Sequence, residues 1–126
     1  MRFTGYLTDR QLAAVYRRSR AFAFPSLFEG FGLPVLEAMA HGVPVACSTG
    51  GAIPEVAGEA ALLFDPLDVD SMTAALRTVL TDEATRCRLA ESGPRRAQLY
   101  SWERTAALTM AVYDAASRDA GRRGRS

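Results

Sequence analysis

Phe24-Pro-Ser-Leu-Phe-Glu-Gly-Phe-Gly-Leu-Pro-Val-Leu-Glu-Ala-Met-Ala-His-Gly-Val-Pro-Val45 reads as a strand end, a loop, a helix and the start of a second strand. Ala21–Phe24 is a short apolar run of buried-strand type, stopped by Pro25. Ser26 to Leu33 carries the glycines of a loop. Pro34 suits the first turn of a helix that runs to Ala40 or His41, with Gly42 as its stop. Pro44-Val-Ala-Cys47 is again apolar and short. Two apolar strands joined through a helix belong to a parallel sheet covered on both faces.

Working outward, the same alternation continues. Arg2–Gly5 is expected to be a short strand. Thr8 then precedes a helix with Gln11 three residues on, the spelling of a capping box. Leu12, Val15 and Tyr16 give that helix one apolar face, ending near Arg20. On the other side, Ser48-Thr-Gly-Gly51 is a turn-rich loop, Ile53–Val56 a short helix and Ala60–Phe64 a fourth strand. Asp68 can cap a helix on which Val69, Met72, Leu76, Val79 and Leu80 recur at helical spacing. A further helix is expected over Asp82–Ser92, broken or kinked at Gly93-Pro94. A last helix runs from Ser101-Trp102 to about Ser117. The expected fold is α/β: a Rossmann-like three-layer arrangement with a short parallel sheet of about four strands and a helical C-terminus. Residues 1–120 are expected to form one small domain or part of a larger one, and 121–126 a frayed, Arg-rich tail.

Composition narrows the class. The chain has 126 residues, 48% of them apolar, and its 15 basic residues, all Arg, nearly balance 14 acidic ones, for a net charge of +1. A disordered chain, a disulfide scaffold and a polybasic nucleic-acid binder are thereby excluded. Basic ends, residues 1–28 and 118–126, flank an acidic middle. A solvated surface accounts for this pattern, as would an interface or a membrane surface. Cys47 and Cys87 lack metal-type spacing and read as buried, reduced thiols. With no signal-type apolar run at the start and no membrane-length stretch, a cytoplasmic protein is expected.

In a parallel α/β sheet, ligands sit beyond the carboxyl ends of the strands. Ser26–Leu33 and Ser48–Gly51 both fall there. Gly30 and Gly32 let backbone approach a ligand, and the helix they feed favours an anion at its first turn. Glu29 in the loop and Glu37 in about the first helical turn can line one cleft. Carboxylates beside an anion-attracting helix end make sense as acceptors from vicinal hydroxyls, the pattern of a nucleotide-sugar with its pyrophosphate and two diols. Without such a ligand they read as solvated acids. Other residues have bland readings. Gly50-Gly51 suits a plain turn or a ligand contact, and Glu55 a brace accepting backbone N–H groups. His41 is read as a helix cap, Trp102 as core or helix-docking, and Asp68-Val-Asp70 as a cap rather than a metal motif.

The stretch from Phe24 to Val45 resembles the signature of the family 4 (group 1) glycosyltransferases, retaining enzymes of GT-B architecture whose hallmark is Glu, seven residues, Glu; Glu29 and Glu37 match it. Gly5-Tyr-Leu-Thr-Asp before it, and Gly50-Gly-Ala-Ile-Pro-Glu55, Ala61-Leu-Leu-Phe-Asp-Pro66 and Ser101-Trp-Glu after it, also follow the pattern. The resemblance implies that Glu29 sits by the transferred sugar as the catalytic-position acid. It implies that amides of Gly30, Phe31 and Gly32 touch the sugar and that the Leu33 amide touches the distal phosphate. Glu37 would then accept from the ribose, with Leu7 near the base and Gly50 and Gly51 as further loop contacts. No cofactor and no metal are implied, and the donor is a nucleotide-diphosphate sugar. The chain resembles only the later part of the C-terminal domain. An N-terminal half in cis or trans, and the cation pair that neutralises the donor pyrophosphate, are expected to lie elsewhere, so the chain alone is expected to be inactive. A non-catalytic subunit of a split enzyme and a truncated remnant are the alternatives. The full enzyme would work in the cytoplasm or at the inner face of the membrane. With its usual neighbours gone, Arg2–Gly5 is expected either to pair with Ala21–Phe24, an exposed edge, or to stay loose.

Overall fold

The computed structural model describes residues 1–123, with side chains through Asp119. It contains α1 (Asp9–Arg18), β1 (Phe22–Phe24), α2 (Leu33–Ala40), β2 (Val45–Ser48), α3 (Ile53–Ala57), a 3-10 turn (Gly58–Ala60), β3 (Ala61–Phe64), α4 (Val69–Thr81), α5 (Glu83–Ala97) and α6 (Trp102–Arg123). The strands form a parallel sheet of order β1-β2-β3, with Phe22 beside Val45 and Val45 beside Ala61.

The central strand explains the layering. All four residues of β2 are buried. Alternate strand residues point to opposite faces, and here they serve two different cores. Val45 and Cys47 pack with Tyr16, Val35, Met39 and Ile53 from α1, α2 and α3. Ala46 packs with Phe64, Val79 and Leu89, the last two from α4 and α5. The apolar-on-both-sides reading of this strand therefore holds, and the architecture is the expected three-layer α/β one.

Local signals set the helix starts. Thr8 accepts from the Gln11 amide while the Gln11 side chain accepts from the Thr8 amide, completing the capping box of α1. Asp68 accepts from the amides of Asp70 and Ser71, capping α4 and confirming the structural role of Asp68-Val-Asp70. Asp82 accepts from Thr85 through both its amide and its hydroxyl. Those bonds hold the Asp82 carboxyl below its usual range.

Several expectations are corrected. The sheet has three strands rather than about four. Arg2–Gly5 forms no strand, and its Phe3 is 84% exposed. A short segment without a partner strand leaves its amides to water. The β1 strand is accordingly an edge. The helix expected to stop at Gly93-Pro94 continues through both residues to Ala97. Gly93 is buried, and a Cβ placed on it would lie 3.3 Å from the Met39 Cα and carbonyl oxygen. Close packing of α5 on α2 thus decides the matter: the glycine is a contact point between two helices, and the packed helix absorbs the hydrogen bond that proline removes. Trp102, expected in the core or docked on a helix, is 79% exposed. α6 reaches Arg123, beyond the expected end near Ser117, and its residues 102–119 are exposed. The rest of the Arg-rich tail, residues 124–126, lies outside the described residues.

Cys87, expected to be buried, is exposed, whereas Cys47 is fully buried and its thiol is pushed up to about 12 by burial. Only the thiolate is reactive. At pH 8 a disulfide reagent such as Ellman's should therefore titrate one thiol in the native chain, lost in Cys87→Ser, and the second only in denaturant. Rapid reaction of both thiols in the native state would contradict this packing.

Candidate functional site

The carboxyl ends of β1 and β2 open into two loops, and these two loops are built against each other. The Ser48 hydroxyl, fully buried, donates to the Ser26 carbonyl and accepts from the Gly50 amide. The Ala52 amide donates to the Glu29 carbonyl at 3.0 Å. Gly50 and Gly51 lie directly on the backbone of residues 26–29: a Cβ on Gly50 would meet the Leu27 carbonyl, and one on Gly51 the Glu29 carbonyl. Gly51 also has φ +62°, a left-handed conformation. Both glycines are thus required by backbone approaching backbone, a stronger demand than a plain turn.

The loop so fixed carries Glu29, half-buried, whose carboxylate accepts from the Ser26 hydroxyl at 2.9 Å. It enters α2 through Gly32, which is buried with φ +96° and offers no side-chain cap. Pro34 stands in the first turn. The α2 start therefore presents backbone without a capping side chain, flanked by exposed Gly30, Phe31 and Leu33. Glu37, expected in about the first turn, lies in the second; no acid stands in the first turn of α2. Its Oε2 accepts from the Tyr16 phenol at 3.2 Å.

A second brace comes from α5. Arg96 donates from Nε to the Val56 carbonyl at 2.8 Å and from Nη2 to the Glu55 carbonyl and to the Tyr100 hydroxyl. It thereby caps the last carbonyls of the five-residue α3, which starts at the Gly51 turn. The brace expected of the Glu55 carboxylate is made instead by its main-chain carbonyl. Tyr100 in turn meets Phe31 edge-on, with centroids 5.6 Å apart. Between the α2 start and the α6 start runs an apolar groove of about 550 Å³, lined by Phe31, Leu33, Leu36, Glu37, Tyr100 and Trp102 among others. Of the predicted site residues it takes in Phe31, Leu33 and Glu37. Glu29, Gly30 and Gly32 stand in the loop beside it. Gly50 and Gly51 lie beneath that loop, and Leu7 lies before α1, half-buried. Among the described residues no three His, Cys, Asp or Glu side chains are placed to hold a metal ion.

The family model described as glycosyl transferases group 1 matches residues 1–96. The chain belongs to the group 1 glycosyltransferases. It is 42% identical over 113 residues to the O-antigen chain mannosyltransferase B of Escherichia coli, covering 90% of this chain and 30% of that protein. It is 46% identical over 114 residues to the MMP alpha-(1->4)-mannosyltransferase of Mycolicibacterium hassiacum, covering 87% and 28%. The sucrose-phosphate synthase of Thermosynechococcus elongatus superposes with a TM-score of 0.82 at 31% identity, over 94% of this chain and 30% of that one. The three-stranded sheet and its helices are thus those of a GT-B glycosyltransferase domain. The chain spans about 30% of the length of these glycosyltransferases.

Sequence reasoning did not assign a role in the site to Tyr16, Arg96 or Tyr100. Tyr16 was legible only as one apolar position of α1, and the hydrogen bond to a residue 21 positions on depends on how α1 lies against α2.

If the loop-on-loop contact sets the Glu29 loop, Gly51→Ala should destabilise the chain by more than about 2 kcal/mol in urea unfolding, through positive φ and a collision with backbone. Gly30, with nothing within 4 Å of its would-be Cβ, should tolerate alanine to within about 0.5 kcal/mol. Equal costs at the two glycines would refute the distinction.

Proposed function

We propose that this chain is the donor-binding portion of a retaining, family 4 GT-B glycosyltransferase, which transfers a sugar from a nucleotide-diphosphate sugar to an acceptor. One observation carries the reading: Glu29 and Glu37 flank an uncapped helix start inside a segment that matches the group 1 model. Backbone amides at such a start bind phosphate oxygens, and carboxylates beside it accept from hydroxyls.

On this reading Glu29 accepts from hydroxyls of the transferred sugar, held in place by Ser26. The amides of Gly30, Phe31 and Gly32 line the sugar, the Leu33 amide meets the distal phosphate, and Glu37 accepts from the ribose. Leu7 lies towards the base. Gly50 and Gly51 act through the loop they support. The reaction needs no metal or cofactor. Catalysis requires the rest of a GT-B enzyme, in cis or in trans, because a closed cleft and a cation for the pyrophosphate are needed as charge moves onto the leaving phosphate. The chain alone is inactive in transfer. No described helix is long and apolar enough to cross a membrane, and the proposed setting is the cytoplasm, including peripheral attachment at the inner membrane face.

Two of the relatives are named as mannosyltransferases, so GDP-mannose is the first donor to try. Calorimetric titration with GDP-mannose, UDP-glucose and ADP-glucose should give saturable binding by at least one, weakened at least tenfold by Glu37→Ala. No heat with any of them at millimolar concentration would overturn donor binding by this chain.

A further inference from the structure

The Tyr16 phenol is the one side chain of α1 that the structure brings to the Glu37 carboxylate. Tyr16 is 6% exposed, and its ring is held on two sides: the Phe22 ring meets it edge-on at 5.6 Å, and the His41 ring stacks on it at 5.3 Å with 24° between planes. His41 is itself fixed, with Nδ1 at 2.8 Å from the Glu37 main-chain carbonyl. A carbonyl only accepts, so Nδ1 carries the proton of that bond. The phenol oxygen is therefore delivered to one place, and from there it donates to Glu37 Oε2 at 3.2 Å. The other oxygen, Oε1, has no hydrogen-bond partner among the described residues, and Glu37 is exposed.

We infer that Tyr16 is a positioning residue for donor recognition: clamped between Phe22 and His41, it engages Oε2 of Glu37 and leaves Oε1 aimed outward to accept from the ribose diol of a nucleoside diphosphate. This rests on the proposed role of Glu37. A glutamate on an exposed helix face has three freely turning side-chain torsions, and fixing them before the ligand arrives lowers the entropy lost on binding. A buried phenol also needs a partner simply to satisfy its hydroxyl, so the experiment must separate stability from recognition. The Tyr16 phenol is pushed up to about 12 by burial, by the Glu37 charge and by this hydrogen bond. It therefore stays protonated, and a donor, at any working pH.

The test compares the parent chain with Tyr16→Phe, Glu37→Gln and the double variant, using GDP and UDP and their 2′,3′-dideoxy analogues as probes. Phenylalanine keeps the ring packing. Tyr16→Phe should weaken binding of the ribose nucleotide roughly three- to tenfold and leave the dideoxy analogue unchanged. The double variant should bind about as weakly as Glu37→Gln alone. Equal weakening of both ligands would show a merely structural tyrosine and overturn the proposal, as would Tyr16→Phe binding like the parent while Glu37→Gln weakens. A Glu37→Gln variant that binds like the parent, or a parent that binds neither nucleotide, would overturn the Glu37–ribose reading itself. Urea midpoints of the same four chains decide the contact without ligand: a double variant losing less than the two single losses together confirms that Tyr16 holds Glu37, and strict additivity refutes it.

Discussion

The close seating of the Gly50-Gly51 turn under residues 26–29 is the constraint on which the site depends. It is made almost entirely of main chain: two glycines with no room for a Cβ, the Ala52 amide on the Glu29 carbonyl, and a buried serine hydroxyl on the Ser26 carbonyl. Such a contact has little freedom. It sets where the first loop leaves β1 and hence where Glu29 and the left-handed Gly32 stand. It also sets where α3 begins, because α3 follows the Gly51 turn. Two strand ends, two helix starts and one carboxylate are positioned by a single approach of backbone to backbone.

The rest of the structure supports that approach from outside. Arg96 ties off the last carbonyls of α3 and lies against Tyr100, which touches Phe31 at the tip of the first loop. Packing of Gly93 on Met39 brings α5 close enough to α2 for this to happen. On the opposite flank, α1 lends Tyr16 to Glu37. The proposed donor-binding face therefore stands on a frame in which Glu37 is held by Tyr16 and α3 by Arg96, each from another element. The α6 helix stands apart, with exposed Trp102, Leu108, Met110 and Tyr113.

Much of this was legible in the sequence because the signals were local. The capping box at Thr8 and Gln11, the cap at Asp68, the Pro34 start and the apolar run Val45–Cys47 of β2 each follow from residues within a few positions of one another. The glycines after Glu29 and Pro34 before Glu37 read as a loop entering a helix, and α2 begins there. What failed depended on distant partners. Arg2–Gly5 is spelled like a strand, but a strand needs a neighbour to pair with. Gly93-Pro94 looks like a helix stop until Met39 is seen to occupy the space beside the glycine. Trp102 has core composition, yet nothing in the described fold covers it. The roles of Gly50 and Gly51 were open from sequence, since a close backbone approach leaves no mark other than glycine itself.

The central claim is that the α2 start and its two glutamates form a donor-binding face. The most direct measurement is amide chemical-shift mapping of the chain titrated with a nucleotide-diphosphate sugar. The account predicts that the largest changes fall on residues 29–33 and around Glu37, with the exposed face around Arg88 and Arg95 unmoved. Changes centred on that arginine face, with residues 29–37 silent, would contradict it.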